Sequence, residues 1–311
     1  MSAGSLHVHE VDIDVALVGR LLAVQFPLWA DLTIKPVHPA GTDNAIYRVG
    51  GDMAVRLPRI HGATGQLEKE HQWLPRLAPL LPLAIPIPLG KGTPAEGYPW
   101  HWSVYRWLEG EPATMDRIAD PRQAATELAQ FIGALQQIDP LGGPPAGEQN
   151  SFRGVPLARR DRSTRDAIAA LRGTIDADVV TEAWEVALKA PVWPGPALWL
   201  HGDLLSANLL AQHGRLSAVI DFGCLGVGDP ACDVMVAWTY LSAETREVFR
   251  AALPVDDATW ARGRGWALSF GLIALAYYRS TNQLLSGIAR YAIDEVLADL
   301  ERAPDQSTGD L

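Results

Sequence analysis

Asp203, Asn208 and Asp221 are the residues whose types and spacing suggest chemistry first. The segment that holds them opens as His201, Gly202, Asp203, Leu204, Leu205, Ser206, Ala207, Asn208, Leu209 and Leu210. It closes as Ala218, Val219, Ile220 and Asp221, followed by Phe222 and Gly223. Two carboxylates and an amide therefore stand beside short apolar runs, in turns that contain Gly and Ser. One carboxylate can position an attacking hydroxyl and accept its proton, while an amide and a second carboxylate offer the oxygens that a hard cation such as magnesium takes. Taken singly, each of the three is an ordinary turn or cap residue; the combination carries the reading.

The elements that must position them can be read in chain order. His7 to Gln25 has the pattern of an amphipathic helix with a stripe of Val11, Val15, Val18 and Leu22 and with Leu21 beside it, and the alternation of Val11, Ile13 and Val15 leaves a short strand as the alternative at its start. Leu32 to Val37 begins a small sheet. Gly41 to Asn44 form a turn before the β-like run Ala45 to Val49, and Gly50, Gly51 and Asp52 turn the chain into Met53 to Leu57. Gln66 to Ala78 is a helix packed through Leu67, Trp73, Leu74 and Leu77, which Pro75 bends or ends; Lys69 and His71 read as solvated. Trp102 to Leu108 is a further strand, and Trp100, Trp102 and Trp107 are core or interface residues. Pro121 to Ile138 is a central helix, Asp139 to Arg153 a surface loop, and Arg159 to Asp166 a mixed-charge, solvent-facing helix start. Val179 to Leu188 is another helix, and Ala197 to Leu200 delivers His201. Glu244 to Leu253 and Trp260 to Ser280 are helices, the second crossing a core. Leu285 to Leu300 is the last helix, bearing Asp294, Glu295 and Asp299, and Ala303 to Leu311 is a frayed tail.

A chain of 311 residues with 48% apolar content can bury a sizeable core as one large domain or as two lobes sharing a cleft. Its net charge of -10 argues against nucleic acid and agrees with a cationic small partner. Cys224 and Cys232, without His or Cys partners nearby, read as small packing residues rather than a disulfide or a zinc site. The N-terminus has no signal-peptide pattern, and the longest apolar passage, Trp266 to Tyr278, suits a buried helix rather than a membrane span. A cytoplasmic chain is expected; its oligomeric state is left open.

The motif His-Gly-Asp-Leu-x-x-x-Asn-Leu-Leu, then Val-Ile-Asp-Phe-Gly, then Gly228, Asp229, Pro230, Ala231, Cys232 and Asp233, resembles the catalytic and metal-binding motifs of the aminoglycoside phosphotransferase family. That family is a branch of the protein-kinase-like fold, similar to choline and homoserine kinases, and the resemblance runs over most of the chain. It implies an α+β, protein-kinase-like two-lobe fold: a small mixed α/β nucleotide lobe over residues 1–107, a larger mainly helical catalytic and acceptor lobe over 108–303, and a flexible tail over 304–311. The implied reaction moves the γ-phosphate of ATP or GTP to a hydroxyl of a small molecule with the help of Mg2+. An aminoglycoside is the first acceptor suggested, with a macrolide, sugar or amino alcohol as alternatives. No Ala-Pro-Glu ending follows Asp221, which favours a small acceptor over a protein one.

By the same resemblance Asp203 is the base, and Asn208 and Asp221 are the magnesium ligands. Arg56 falls where protein kinases carry the phosphate-pairing lysine, the alternative being an exposed strand arginine. Glu70 is its orienting partner, with Glu68 as rival. Tyr105, Arg106 and Trp107 lie at the hinge that meets the nucleotide base. His201 organises the loop, and Ser206 either shapes it or is merely exposed. Asp229 opens a helix with Pro230, and Asp233 either braces the loops or stabilises that helix's first turn. Tyr277, Tyr278, Arg279, Gln283 and the acids of the last helix border the acceptor or serve packing and solvent. Arg56 and the sparse glycine signal keep a second class open, a kinase-fold protein that binds nucleotide without turnover.

Overall fold

The computed structural model describes residues 11–37 and 43–302. The expectations for residues before Val11, for the Gly41–Thr42 part of the first turn and for the tail after Arg302 lie outside the described residues. Asp14 caps the first helix, α1 (Val15–Gln25), by accepting from the Leu17 amide at 2.7 Å. Leu17, Val18, Leu21 and Leu22 form the buried face while Val15 is 42% exposed. The expected stripe holds at Val18, Leu21 and Leu22 and is corrected at Val15, and Val11 to Asp14 form no strand.

A five-stranded antiparallel sheet follows, made of β1 (Ile34–Pro36), β2 (Asn44–Val49), β3 (Met53–Pro58), β4 (Pro88–Gly92) and β5 (Trp102–Arg106), in the order β1-β2-β3-β5-β4. Gly50, at φ 61, takes the left-handed turn between β2 and β3 that a side chain would disfavour. Helix α2 (Thr64–Leu77) joins β3 to β4 and ends soon after Pro75. The sheet and α1 enclose a small core that includes Val18, Leu21, Val49, Val55, Leu57, Trp102 and Val104. Leu74 and Leu77 of α2, with Tyr105, join a second and larger core, so α2 is the joint between the two parts of the molecule.

The larger part begins with β6 (Glu111–Pro112) and α3 (Pro121–Gln137), which Asp120 caps. Helices α4 (Asp161–Ala170) and α5 (Ala177–Leu188) precede β7 (Leu198–Leu200), β8 (Leu209–Gln212), β9 (Arg215–Val219) and β10 (Gly226–Gly228). β7 pairs with β10, and β8 lies between β6 and β9. Two single turns, α6 (Ala231–Val234) and α7 (Val236–Thr239), lead to α8 (Ala243–Ala252), α9 (Asp257–Tyr278) and α10 (Gln283–Arg302). Helix α9 is buried on most sides, packed against α4, α5, α6, α7 and α10. This is the protein-kinase-like arrangement of a small mixed lobe on a larger helical one. Among the described residues no helix is long and apolar enough to cross a membrane.

The stretch before α4 is not simply a surface loop. The Ala146 amide donates to the Val227 carbonyl at 3.0 Å, and Asn150 is buried. Its end turns the Arg153 side chain inward, where it meets the motif of the previous subsection.

Candidate active site

Strand β7 delivers His201, Gly202 and Asp203, and Asp233 of α6 holds them: its carboxylate accepts from the amides of His201 and Gly202, each at 2.7 Å. Asp233 therefore braces the loop, beyond its place in the first turn of α6. Burial raises its pKa to about 6 while the two amides pull it down. His201 is fully buried; its Nδ1 accepts from the Asp203 amide at 3.1 Å, and Nε2 faces the Ile220 carbonyl at 3.0 Å. An acceptor at Nδ1 and a carbonyl at Nε2 select the neutral tautomer protonated on Nε2. The ring thus ties the residue before Asp221 to the loop that carries Asp203, and rests edge-on against Phe222.

Burial depresses the His201 pKa from 6.5 to about 4, so between those values the folded chain binds fewer protons than the unfolded one. The stability this contributes is present above pH 6.5 and is lost as pH falls through about 4, a change of about 3 kcal/mol. Asp233 runs the other way, its contribution present at low pH and lost as pH rises through about 6. Urea unfolding of the wild type and His201→Gln between about pH 7.5 and 4.5 isolates the histidine, because Asp233 is common to both. The variant is expected to lose less stability on acidification; equal acid slopes would remove His201 as the cause.

Asn208 donates through Nδ2 to the Asp203 carbonyl at 2.8 Å and to Asp203 Oδ2 at 3.0 Å. Its own carbonyl accepts from the Ile220 amide at 2.9 Å, which sets it beside the approach to Asp221. Asp221 has φ 63 and stays half exposed, its carboxylate accepting from the Gly223 amide at 3.4 Å. Among the described residues no three His, Cys, Asp or Glu side chains gather around a cation position. With the Asn208 side-chain nitrogen committed to Asp203, its amide oxygen and the Asp221 carboxylate are the oxygens that could hold a hard cation such as magnesium, whose remaining ligands would be water and phosphate oxygens. Ser206 opens the short 3-10 turn to Asn208, and its carbonyl accepts from the Leu209 amide.

Arg56 of β3 is almost enclosed and joins the two lobes. It donates to Glu70 Oε1 at 2.6 Å, to Gln66 Oε1 at 2.8 Å and to Asp221 Oδ1 at 3.3 Å. Asn44, with its amide oxygen turned to the guanidinium, accepts from it at 2.9 and 3.2 Å. Burial opposes the charge on Arg56, and the carboxylates of Glu70 and Asp221 more than offset it, so its pKa lies above the ordinary value. Glu70 takes the orienting place, while its rival Glu68 pairs with Lys91 at the surface. Tyr105 turns its hydroxyl to the second Glu70 oxygen, so its side chain serves the Arg56 group. Arg106 and Trp107 stay outside that group. Their amides donate to the carbonyls of Ile87 and Asp52 at 2.9 and 2.7 Å, and the Trp107 ring lies 4.7 Å from the Arg48 guanidinium.

Several charged residues sit elsewhere than expected. Lys69 is buried rather than solvated: its ammonium donates to the carbonyls of Gly223 at 2.7 Å and Gln149 at 3.3 Å, and burial lowers its pKa. His71 is partly buried, with Nε2 2.6 Å from the Ser103 hydroxyl. Arg160 leaves the solvent-facing patch, donates to Ser269 Oγ at 2.8 Å and lies over Trp266; burial, with the charge of Arg153, lowers its pKa to about 10. Asp229 receives the Ala231 amide at 3.0 Å, as a helix start should, and also forms a buried pair with Arg262. Glu295 and Asp299 of α10 bind Arg246, and Asp299 also binds Arg264, so these acids are not a free solvent face. Asp43 and Tyr278 lie within electrostatic reach of Asp203. Gln66, Lys69 and Arg153 are the site neighbours that sequence reasoning missed; a polar residue one turn before Glu70 was the available signal for Gln66.

A family model described as "Phosphotransferase enzyme family" matches residues 33–266. Among solved structures, the GDP complex of wild-type aminoglycoside 2'-phosphotransferase-IIIa is similar at TM-score 0.70 and 19% identity, over 93% of this chain and 100% of that one. Macrolide 2'-phosphotransferase MphH from Brachybacterium faecium, an apoenzyme, is similar at TM-score 0.60 and 23% identity, over 90% of this chain and 98% of that one. A macrolide 2'-phosphotransferase type I is similar at TM-score 0.59 and 18% identity, over 94% and 99%. No curated protein matches the chain.

Proposed function

The chain belongs to the phosphotransferase enzyme family, and from that membership we propose that it moves the γ-phosphoryl group of ATP or GTP to a hydroxyl of a small acceptor, with Asp203 as base. Membership makes it a phosphotransferase rather than a nucleotide binder without turnover. The observation that carries the proposal is the convergence on one cleft of Asp203, Asn208, Asp221 and the Arg56–Glu70 pair, supplied by both lobes.

In this reading Asp203 receives the acceptor hydroxyl's proton as the oxygen attacks phosphorus, and the leaving nucleoside diphosphate keeps the bridging oxygen. Asn208 and Asp221 hold magnesium, which when bound neutralises the phosphate charge. Arg56 holds phosphate oxygens with the guanidinium that Glu70 orients. With the amides of Arg106 and Trp107 committed, the base-binding backbone falls toward Leu108.

An aminoglycoside is the first acceptor, supported by the net charge of -10. A less cationic acceptor such as a macrolide is the second reading. It is favoured by the ion pairs of Glu295 and Asp299 with Arg246 and Arg264, which already neutralise acids that a polycation would use. Mass spectrometry over separate pools of aminoglycosides, macrolides, sugars and amino alcohols, with magnesium and either nucleotide, tests both. A product heavier by one phosphoryl group names the acceptor class; nucleotide binding with no product in any pool would count against the proposed acceptors.

Arg56→Ala is expected to lower kcat/KM for nucleotide by roughly 10- to 100-fold, the loss of a charge-assisted contact. Arg56→Lys should recover only part, because one ammonium cannot meet Glu70, Gln66 and Asp221 together. Full activity in the alanine variant would place phosphate binding elsewhere.

A further inference from the structure

The loop before α4 carries backbone conformations that side chains rarely adopt. Ser151 and Phe152 sit at φ 55 and φ 57, where side chains are disfavoured, and Gly154 follows at φ 78. The turn is closed from within. Asn150 accepts from the Gly147 amide at 2.9 Å and donates to the Arg153 carbonyl at 3.0 Å, while the Phe152 amide donates to the Gly147 carbonyl at 2.7 Å. Phe152 itself is 45% exposed, so the strain does not serve to bury that ring. What the turn sends inward is the side chain of Arg153, 12% exposed.

Arg153 Nη2 donates to Asp203 Oδ1 at 3.2 Å, and Asn208 Nδ2 donates to Oδ2 at 3.0 Å. Each carboxylate oxygen thereby has a donor from a different chain segment. The guanidinium carbon lies 5.8 Å from the centre of the Phe270 ring on α9. The guanidinium is buried, with the Cys224 side chain also beside it. Among the described residues, the carboxylate within ion-pair distance of Arg153 is that of Asp203. Gly202 has φ 83, and a Cβ there would fall 2.7 Å from the Cys224 carbonyl oxygen and 3.0 Å from Arg153 Cβ.

Resting on the assignment of Asp203 as base, we infer that Arg153 is a positioning residue that fixes one oxygen of Asp203 while Asn208 fixes the other, so that the attacking hydroxyl meets the carboxylate in a single orientation. It acts through Asp203 and makes no demand on nucleotide binding. Its loss therefore falls on kcat and leaves nucleotide affinity in place. A lysine keeps the charge but not the planar fork.

The full-length chain and its Arg153→Ala, Arg153→Lys and Arg162→Ala variants are compared with magnesium and ATP or GTP, following both transfer to the acceptor pools and hydrolysis, in which water takes the acceptor's place. Arg162 is an exposed control at 95% exposure. Arg153→Ala is expected to lower kcat by about 100-fold with nucleotide KM within about 3-fold of wild type, the effect of a misplaced reacting group. Arg153→Lys should lie between, Arg162→Ala should match the wild type, and millimolar guanidinium ion should restore part of the Arg153→Ala rate without restoring Asp203→Asn. Crystals of Arg153→Ala supply a second readout that needs no acceptor: the Asp203 carboxylate should leave Asn208 or divide between orientations. An Asp203 carboxylate unmoved in those crystals, a kcat within about 2-fold of wild type, or a loss shared equally between kcat and nucleotide affinity without guanidinium rescue would overturn the inference. If the wild type consumes no nucleotide, the phosphotransfer reading fails on its own, and the crystals still decide whether Arg153 holds Asp203.

Discussion

Asp203→Asn is expected to lower kcat for phosphoryl transfer by roughly 10²- to 10⁴-fold, the range for removing a general base. The amide keeps the size of the carboxylate and one oxygen for Arg153 or Asn208, but it cannot accept the acceptor's proton. Nucleotide binding should persist, because Arg56, Glu70 and Asp221 are untouched; a nucleotide KM within about 3-fold of wild type is the accompanying expectation. Burial raises the pKa of the Asp203 carboxylate; the charge of Arg153 opposes it, while that of Asp221 adds to it. Activity should accordingly fall as pH drops through that raised value, since only the ionised form can act as base. Steady-state kinetics against pH check both points. An asparagine variant that keeps most of the wild-type kcat would move the base elsewhere.

Arg262→Ala is expected to destabilise the fold by about 3–5 kcal/mol, the usual effect of leaving one member of a buried ion pair alone. The side chains of Arg262 and Asp229 are 2% and 5% exposed, with Nε 2.7 Å from Oδ2 and Nη2 3.2 Å from Oδ1. Arg262 also donates to the Pro191 carbonyl at 2.7 Å and to the buried Thr259 Oγ1 at 3.0 Å, so alanine leaves Thr259 as well as Asp229 without that donor. The pair ties α9 to the segment after β10, which leads into the turn where Asp233 grips the catalytic loop. Asp229→Ala should cost a similar amount, and the double variant distinctly less than the sum, because neither charge is then stranded. Urea unfolding of the three proteins measures this; additive losses would mean that the two residues act separately.

The grouping of the candidate site residues was legible where it is local. Asp203, Asn208 and Asp221 lie within one short segment with His201, and strand, turn and helix signals around them are strong. Asp233 was readable as a brace only beside a first-turn alternative, and the two loop amides it accepts decide for the brace. Arg153 was not legible: its partner is 50 positions away, and its surroundings are Pro- and Gly-rich, the signature of surface loops. Lys69 went unseen because a lysine on an amphipathic helix is normally solvated, whereas α2 is pressed against the Gly223 carbonyl from the other lobe. The acids of α10 read as bordering the acceptor or facing solvent for want of a visible partner. Arg246 of α8 and Arg264 near the start of an otherwise apolar α9 were the available signals, since buried guanidiniums require carboxylates. In α1 the apolar stripe was legible at Val18, Leu21 and Leu22, and Leu17 was missed in favour of the exposed Val15.

The measurement that bears most directly on the central claim is a phosphorus NMR time course of the wild type and Asp203→Asn, with magnesium, nucleoside triphosphate and the pooled acceptors. A phosphate monoester resonance is expected to grow at the expense of the γ-phosphate resonance only when acceptor and magnesium are both present, and the asparagine variant is expected to form no monoester on the same timescale. A γ-phosphate that yields only inorganic phosphate regardless of acceptor, or a monoester formed equally well by the variant, would contradict the claim.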